Sequence, residues 1–379
     1  MRSYTVGDIP PDYFFTDTVY LDGEFVLAAP EMPFTAGLIQ SLSDWDFREV
    51  LSDGGPEASY TDKAGTAGEP APAVDLASAP ADAEKLQWAE DFCQELKAYV
   101  NEIFSVIFMR EQIDFNGVAE RIRNSLDRIR EDQRYLLRVL KKTENIKEDY
   151  LVAHTVKSTI IAIIIGFYLK LPSHRLIELG AAALFHETGM ILLPVKVYMN
   201  PRTLSPAEQS MIFNHPVLGY NTLRRYGFPL AVSVVALEHH ERENGSGYPR
   251  HLTSSKLSLY SKIISVVCSY VAISSYRPHW EARDEHTAML EMLKNRGKQY
   301  DDAVIHALVY SLSIYPIGIY VLLSSGKKGQ VVDANFENPR FPVVQIFGEQ
   351  NPDGKNKTQK TSPEGLRIVR PLTREETGG

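Results

Sequence analysis

Five of the ten histidines in this chain of 379 residues, His154, His186, His215, His239 and His240, fall in its middle, and Glu187 stands beside one of them. Each lies on or at the end of an apolar, helix-like run. The stretch "ALFHETGMILLP" at 183–194 shows the pattern: an apolar run meets a His-Glu pair, and a Thr-Gly pair then breaks it. A lone histidine on an apolar helix is ordinarily a hydrogen-bonded core residue. Five at separate helix positions, with a carboxylate, pose a different problem, because buried imidazoles need polar partners. A shared metal ion gives several of them a partner at once. Imidazole and carboxylate donors without a thiolate framework suit Fe, Mn or Zn, at a catalytic rather than a structural site.

Helices must position these side chains. Residues 148–312 read as successive apolar helical runs separated by the punctuation "LPSH", "NPRTLSP", "YGFP", "NGSGYP" and "YRPHW", with no alternation that suggests a sheet. Over 85–147, Phe115, Val118, Ile122, Ile129, Leu136 and Leu140 recur at spacings near three, four and seven among many charges. That is the pattern of amphipathic helices packing on the domain that follows. A dimerising coiled coil, and with it a homodimer, is the alternative, although the seam is short and broken. Residues 1–54 mix β-like runs with the helix-like "TAGLIQSLSDWDF" and predict a small α/β module. Residues 55–84 are poor in large apolar groups and rich in Ala, Pro, Gly and Ser, the composition of a disordered linker. Short Val/Ile/Tyr runs around Gly-containing turns predict a small β module over 313–349, and 350–379 reads as a polar tail. The expected fold class is mainly α, a helical domain between two small modules.

Composition narrows the partners. With 44% hydrophobic and 23% charged residues the chain is an ordinary globular sequence, and its length suggests two or three domains. A formal net charge of −8 argues against DNA binding, which needs a basic face. A small anionic ligand at a locally basic or metal-loaded pocket is compatible with that charge. The two cysteines, Cys93 and Cys268, form no CxxC and exclude a disulfide framework or zinc ribbon. They fit a reducing cytosol. The opening "MRSYTVGDIPPDYFF" has no apolar core of a signal peptide. The run "TIIAIIIGFYL" at 159–169 is too short to span a bilayer and reads as a buried core helix. A cytoplasmic protein with no membrane partner is the expectation.

The order of the pieces is more specific than their number. "FHETG", then "NHPVLG", then "EHHERENGSGYP", then "SSYRP" resembles the HD-GYP family of bacterial metal-dependent phosphohydrolases over roughly residues 148–312. The gapless "HHERENGSGYP" carries most of the resemblance. The trailing β module is also similar to a segment often attached to such domains. The resemblance implies an all-α bundle that hydrolyses cyclic di-GMP to pGpG or GMP, with metal-activated hydroxide, at a bi- or trinuclear centre. It makes His154 the first histidine ligand, and His186 with Glu187 the catalytic pair. His215, His239 and His240 would complete the imidazole set, and Cys268 stands where the family has a metal-binding Asp. Gly247, Tyr248 and Pro249 form the named loop, whose tyrosine would stack or hydrogen-bond with a guanine. Arg277 takes the place of an arginine that holds phosphate, a role its bidentate fork suits. Gly245 and Gly247 allow tight turns beside a ligand. The implied partners are cyclic di-GMP or a related cyclic dinucleotide, together with regulatory proteins.

Several positions depart from the family. Glu187 is one methylene longer than the usual Asp, which shifts its oxygen by about 1 Å unless the rotamer or helix end adjusts. Met190 replaces a lysine that would neutralise phosphate. Cys268 and Val271 replace two aspartates. A buried cysteine ordinarily behaves as a small hydrophobe, and as a thiolate it would bind Zn or Fe without reproducing a hard bridging carboxylate. Tyr150 stands where trinuclear members place a glutamate, and Glu148 and Asp149 are out of register, so one or two metals per chain are expected rather than three. Two readings follow: a phosphohydrolase of weak activity, or a catalytically degenerate module that binds cyclic di-GMP or partner proteins as a regulator.

Overall fold

The helix-like runs of the middle region are helices. The computed structural model describes residues 1–17, 19–20, 26–28, 33–44, 48–58, 80–142, 150–199, 204–275, 284–335, 338–351, 356–372 and 376. Contacts divide the chain into two units, one of Met1–Leu76, Tyr320–Gly329 and Ile346–Gly379, the other of Ala77–Ile319 and Gln330–Gln345.

The N-terminal part contributes β1 (Arg2–Thr5), β2 (Phe14–Phe15), β3 (Val19–Tyr20), β4 (Val26–Ala28), α1 (Ala36–Asp44), β5 (Glu49–Ser52) and β6 (Pro56–Glu57). One sheet has the order β1-β5-β3-β4, and β2 pairs with β6. Val6, Phe15, Val19, Phe34, Leu42 and Val50 are buried together in its core. Residues 59–79 of the expected linker lie outside the described residues, and Pro80 already opens a helix.

The second unit is a bundle of α2 (Pro80–Phe108), α3 (Phe115–Lys142), α4 (Tyr150–Tyr168), α5 (Ser173–Phe185), α6 (Thr188–Ile191), α7 (Val195–Tyr198), α8 (Pro206–Arg225), α9 (Leu230–Glu238), α10 (Leu259–Ser274), α11 (Glu285–Lys294) and α12 (Asp302–Leu312). Val118, Ile122, Ile129, Leu136 and Leu140 of α3 are buried in one core with Ile160 and Ile164 of α4, Leu179 of α5 and Val267 of α10. Helix α4 is apolar all round, as a helix enclosed by others must be. The run at 159–169 belongs to this helix, which at 19 residues is long and apolar enough to cross a membrane by length and composition alone, although 83% of its most apolar window is buried inside the bundle. Helix α8 starts at a capping box: Ser205 accepts from the Glu208 backbone N–H, and the Glu208 carboxylate accepts from that of Ser205.

After α12 come β7 (Tyr320–Leu323), β8 (Lys328–Asp333), β9 (Val343–Gln350), β10 (Asn356–Lys360) and β11 (Ile368–Pro371), in a sheet of order β10-β9-β8-β7-β11. The expected polar tail therefore contains two strands. Backbone pairing holds β11 antiparallel to β7, with Ile368 opposite Leu323 and Pro371 opposite Val321. Strand β10, "NKTQK", is a sheet edge with largely exposed side chains, so no hydrophobic alternation marks it.

Candidate metal centre

Helix ends orient the histidines. His186 is the C-cap of α5 and His239 the C-cap of α9. The last carbonyls of a helix have no intrahelical partner, and each histidine uses one three residues back. His186 Nδ1–H donates to the Ala183 carbonyl at 2.7 Å, and His239 Nδ1–H to that of Ala236 at 3.0 Å. His215 lies inside α8 and reaches the same result by another route. Pro216 follows it within the helix and has no N–H for the carbonyl four residues back, that of Ile212. His215 Nδ1–H donates to that carbonyl at 2.5 Å. A carbonyl only accepts, so all three rings carry their proton on Nδ1 and present Nε2 as a lone pair.

These lone pairs converge. His215 Nε2 stands 3.1 Å from His239 Nε2, and His186 Nε2 stands 3.3 Å from His154 Nε2. In the His215–His239 pair neither inward nitrogen has a proton to share, so the contact is repulsive unless a cation stands beside both. Protonation is a poor remedy. Burial holds His186 and His215 down at about 4, and burial first, then neighbouring imidazoles, pushes His239 and His240 well below the ordinary histidine range. A divalent metal ion answers the same need without a proton.

Glu187 joins two donor sets. One is His154, His186, Glu187 and Cys268; the other is Glu187, His215, His239 and His240, and within each set the ligand atoms lie within 4.8 Å of one another. Glu187 Oε1 is 3.7 Å from His154 Nε2 and 3.8 Å from His186 Nε2, while Oε2 is 3.5 Å from His215 Nε2. Donors sharing a tetrahedral ion at about 2.1 Å stand roughly 3.4 Å apart, so these residues fit a metal pair with a common carboxylate. The longer side chain is accommodated at the helix end: Glu187 sits between α5 and α6 with φ −94° and ψ 13°, outside helical geometry. Cys268, on α10, is 4% exposed and belongs to the first set only.

Close backbone approach brings the pieces together. A Cβ on Gly189 would lie 1.8 Å from the His215 carbonyl oxygen, so only glycine lets α6 lie this close to α8. Gly247 is pressed likewise against the backbone of 240–242, where a Cβ would meet the His240 carbonyl at 2.4 Å. Gly245 adopts φ +76°, the left-handed conformation glycine favours. The ring of Tyr248 then stacks on His240, centroids 4.7 Å apart at 15°. Pro249 follows it in the loop.

Two charged residues inside "HHERENGSGYP" were not singled out from the sequence. Glu241 is fully buried and accepts from the backbone N–H groups of Arg250 at 2.7 Å and Leu252 at 2.9 Å, closing the loop. Arg242 donates to the Glu241 carbonyl and to the hydroxyls of Ser265 and Ser269, tying the loop to the Cys268 helix. Charges directly following two candidate donors in one motif were the available signal. Arg277 lies outside the described residues, as do Glu148 and Asp149. Tyr150 sets its ring 5.7 Å from that of His154 and offers no carboxylate there. Met190 and Val271 are buried apolar residues.

Residues 138–304 match the HD domain family. This region is an HD domain, and with the loop beside its donor sets it is a divergent one of the HD-GYP kind. The cyclic di-GMP phosphodiesterase PdeB of Borreliella burgdorferi is 25% identical over 202 residues, 53% of this chain and 53% of PdeB. The chain thus spans about half the length of that relative. The cyclic di-GMP phosphodiesterase PA4108 of Pseudomonas aeruginosa is 28% identical over 316 residues, 82% of this chain and 75% of that protein. Among solved structures, Bd1817, a HDG"Y"P protein from Bdellovibrio bacteriovorus, overlays with a TM-score of 0.49 and 14% identity, covering 81% of this chain and 97% of that one.

Proposed function

We propose that this chain is a metal-dependent phosphodiesterase that hydrolyses a phosphodiester bond of a cyclic dinucleotide, with cyclic di-GMP as substrate. The observation that carries the reading is Glu187, whose two oxygens face separate donor sets. Relatives named as cyclic di-GMP phosphodiesterases support the substrate class.

Two bound divalent ions would supply Lewis acidity toward the phosphoryl oxygens and a water acidic enough to attack at neutral pH. The residues of the chain do the holding. His154, His186 and Cys268 would bind one ion and His215, His239 and His240 the other, with Glu187 between them fixing the spacing. Backbone carbonyls keep three rings in the ligating tautomer. Tyr248 walls the His240 side, and Arg277 would hold a phosphate. A sulfur donor inclines the first set toward Zn or Fe, and the second set suits Fe, Mn or Zn.

Met190 and Val271 favour a second reading, a regulator that binds cyclic di-GMP without turnover. Both are buried, 8% and 0% exposed, and neither offers a charge at its position. A missing cation near phosphate makes turnover slow on the enzyme reading. Single-turnover assays with cyclic di-GMP and added Mn or Fe separate the two. Product from the parent, abolished in His186→Ala with ligand binding retained, supports the enzyme. Binding without product in the parent overturns it in favour of the regulator.

A further inference from the structure

An aromatic side chain outside the donor sets stands at their edge. Phe213 lies two residues before His215, and on the largely exposed stretch "PAEQSMIFN" of α8 it is 54% exposed. Its ring centroid is 4.7 Å from that of Tyr248 at an interplanar angle of 73°. Tyr248 in turn lies flat on His240. One face of Tyr248 is therefore already covered by a candidate ligand, and Phe213 stands nearly perpendicular to it as the more exposed ring. A large apolar ring left in water beside a polar centre gains most from a flat apolar partner, and every nucleobase has such a face.

We propose that Phe213 is the stacking surface for a nucleobase of the bound cyclic dinucleotide, setting affinity and a preference for purines. The proposal rests on the cyclic-dinucleotide reading above. It shifts the stacking role from Tyr248, whose ring supports His240, to a residue on the neighbouring helix. Purines stack more strongly than pyrimidines, so the ring favours cyclic di-GMP over cyclic di-UMP. Removing it costs affinity on the order of ten- to a hundredfold.

The test uses the full metal-loaded chain in three forms, parent, Phe213→Ala and Phe213→Trp, with equal metal content and melting temperature confirmed first. Equilibrium binding of cyclic di-GMP and cyclic di-UMP is measured for each. The expected result is tight, purine-selective binding by the parent, a weaker and less selective Phe213→Ala, and recovery of both properties in Phe213→Trp. A parent that binds cyclic di-GMP and a Phe213→Ala that binds it equally well, with the same selectivity, overturn this inference alone. A parent that binds neither ligand overturns the functional reading as well.

Discussion

Three of the imidazoles present an unprotonated nitrogen inward because a backbone carbonyl has taken the other ring position. Burial reinforces this state and gives it a pH signature. In the metal-free protein His186 and His215 take up protons only near about pH 4, whereas in the unfolded chain they do so near about 6.5. Between those values the unfolded state holds more protons, so stability falls as pH is lowered through the window and is unaffected by these groups above it. Denaturation of chelator-treated protein should therefore give a lower midpoint near pH 5 than near pH 7.5. An equal midpoint would contradict neutral, buried rings. Cys268 makes a separate prediction: cobalt-loaded protein should show the near-ultraviolet sulfur-to-cobalt charge-transfer absorption, and Cys268→Ser should lose it while still binding cobalt through the second set. Retention of the band in that variant would remove Cys268 from the ligands. The types and order of the candidate donors were legible in the sequence. The dual reach of Glu187 was not, because it depends on a non-helical residue between α5 and α6 that no pattern of residue types announces.

At the scale of elements, the centre is assembled from helix ends and one interrupted helix. Pro216 looks like a fault inside α8, and its cost relative to alanine in a helix interior is about 3 kcal/mol. It leaves the Ile212 carbonyl for His215. Pro216→Ala restores a backbone donor to that carbonyl, so the metal-free variant should melt higher than the parent and yet bind metal about tenfold more weakly. Zinc titration and thermal melts on the same samples check both arms; unchanged affinity would show that the ring orientation does not depend on the proline. Helices α3, α4, α8, α9 and α10 were readable from apolar periodicity and Pro/Gly punctuation. Strands β10 and β11 were not: the side chains of β10 are largely polar, and β11 is only four residues long, with a backbone pairing to β7 that no local pattern marks. The approach of α6 to α8 at Gly189 was equally hidden, because residues far apart in sequence meet there.

Taken as a whole molecule, the candidate centre draws on residues from 154 to 268, so metal binding there would be coupled to the folding of the helical unit. A chain of net charge −8 encloses the five donor-set imidazoles and lets one carboxylate face both sets. The motif order identified the HD-GYP kind from sequence because it records side chains that must meet. Among the described residues the small flanking modules carry no comparable constellation. The central claim is that Glu187 joins two metal sites, and metal analysis of the loaded parent beside Glu187→Gln tests it most directly. Two ions per chain in the parent, with at least one lost in the variant, is the predicted result. Three ions in the parent, or two retained by Glu187→Gln with unchanged affinity, would contradict it.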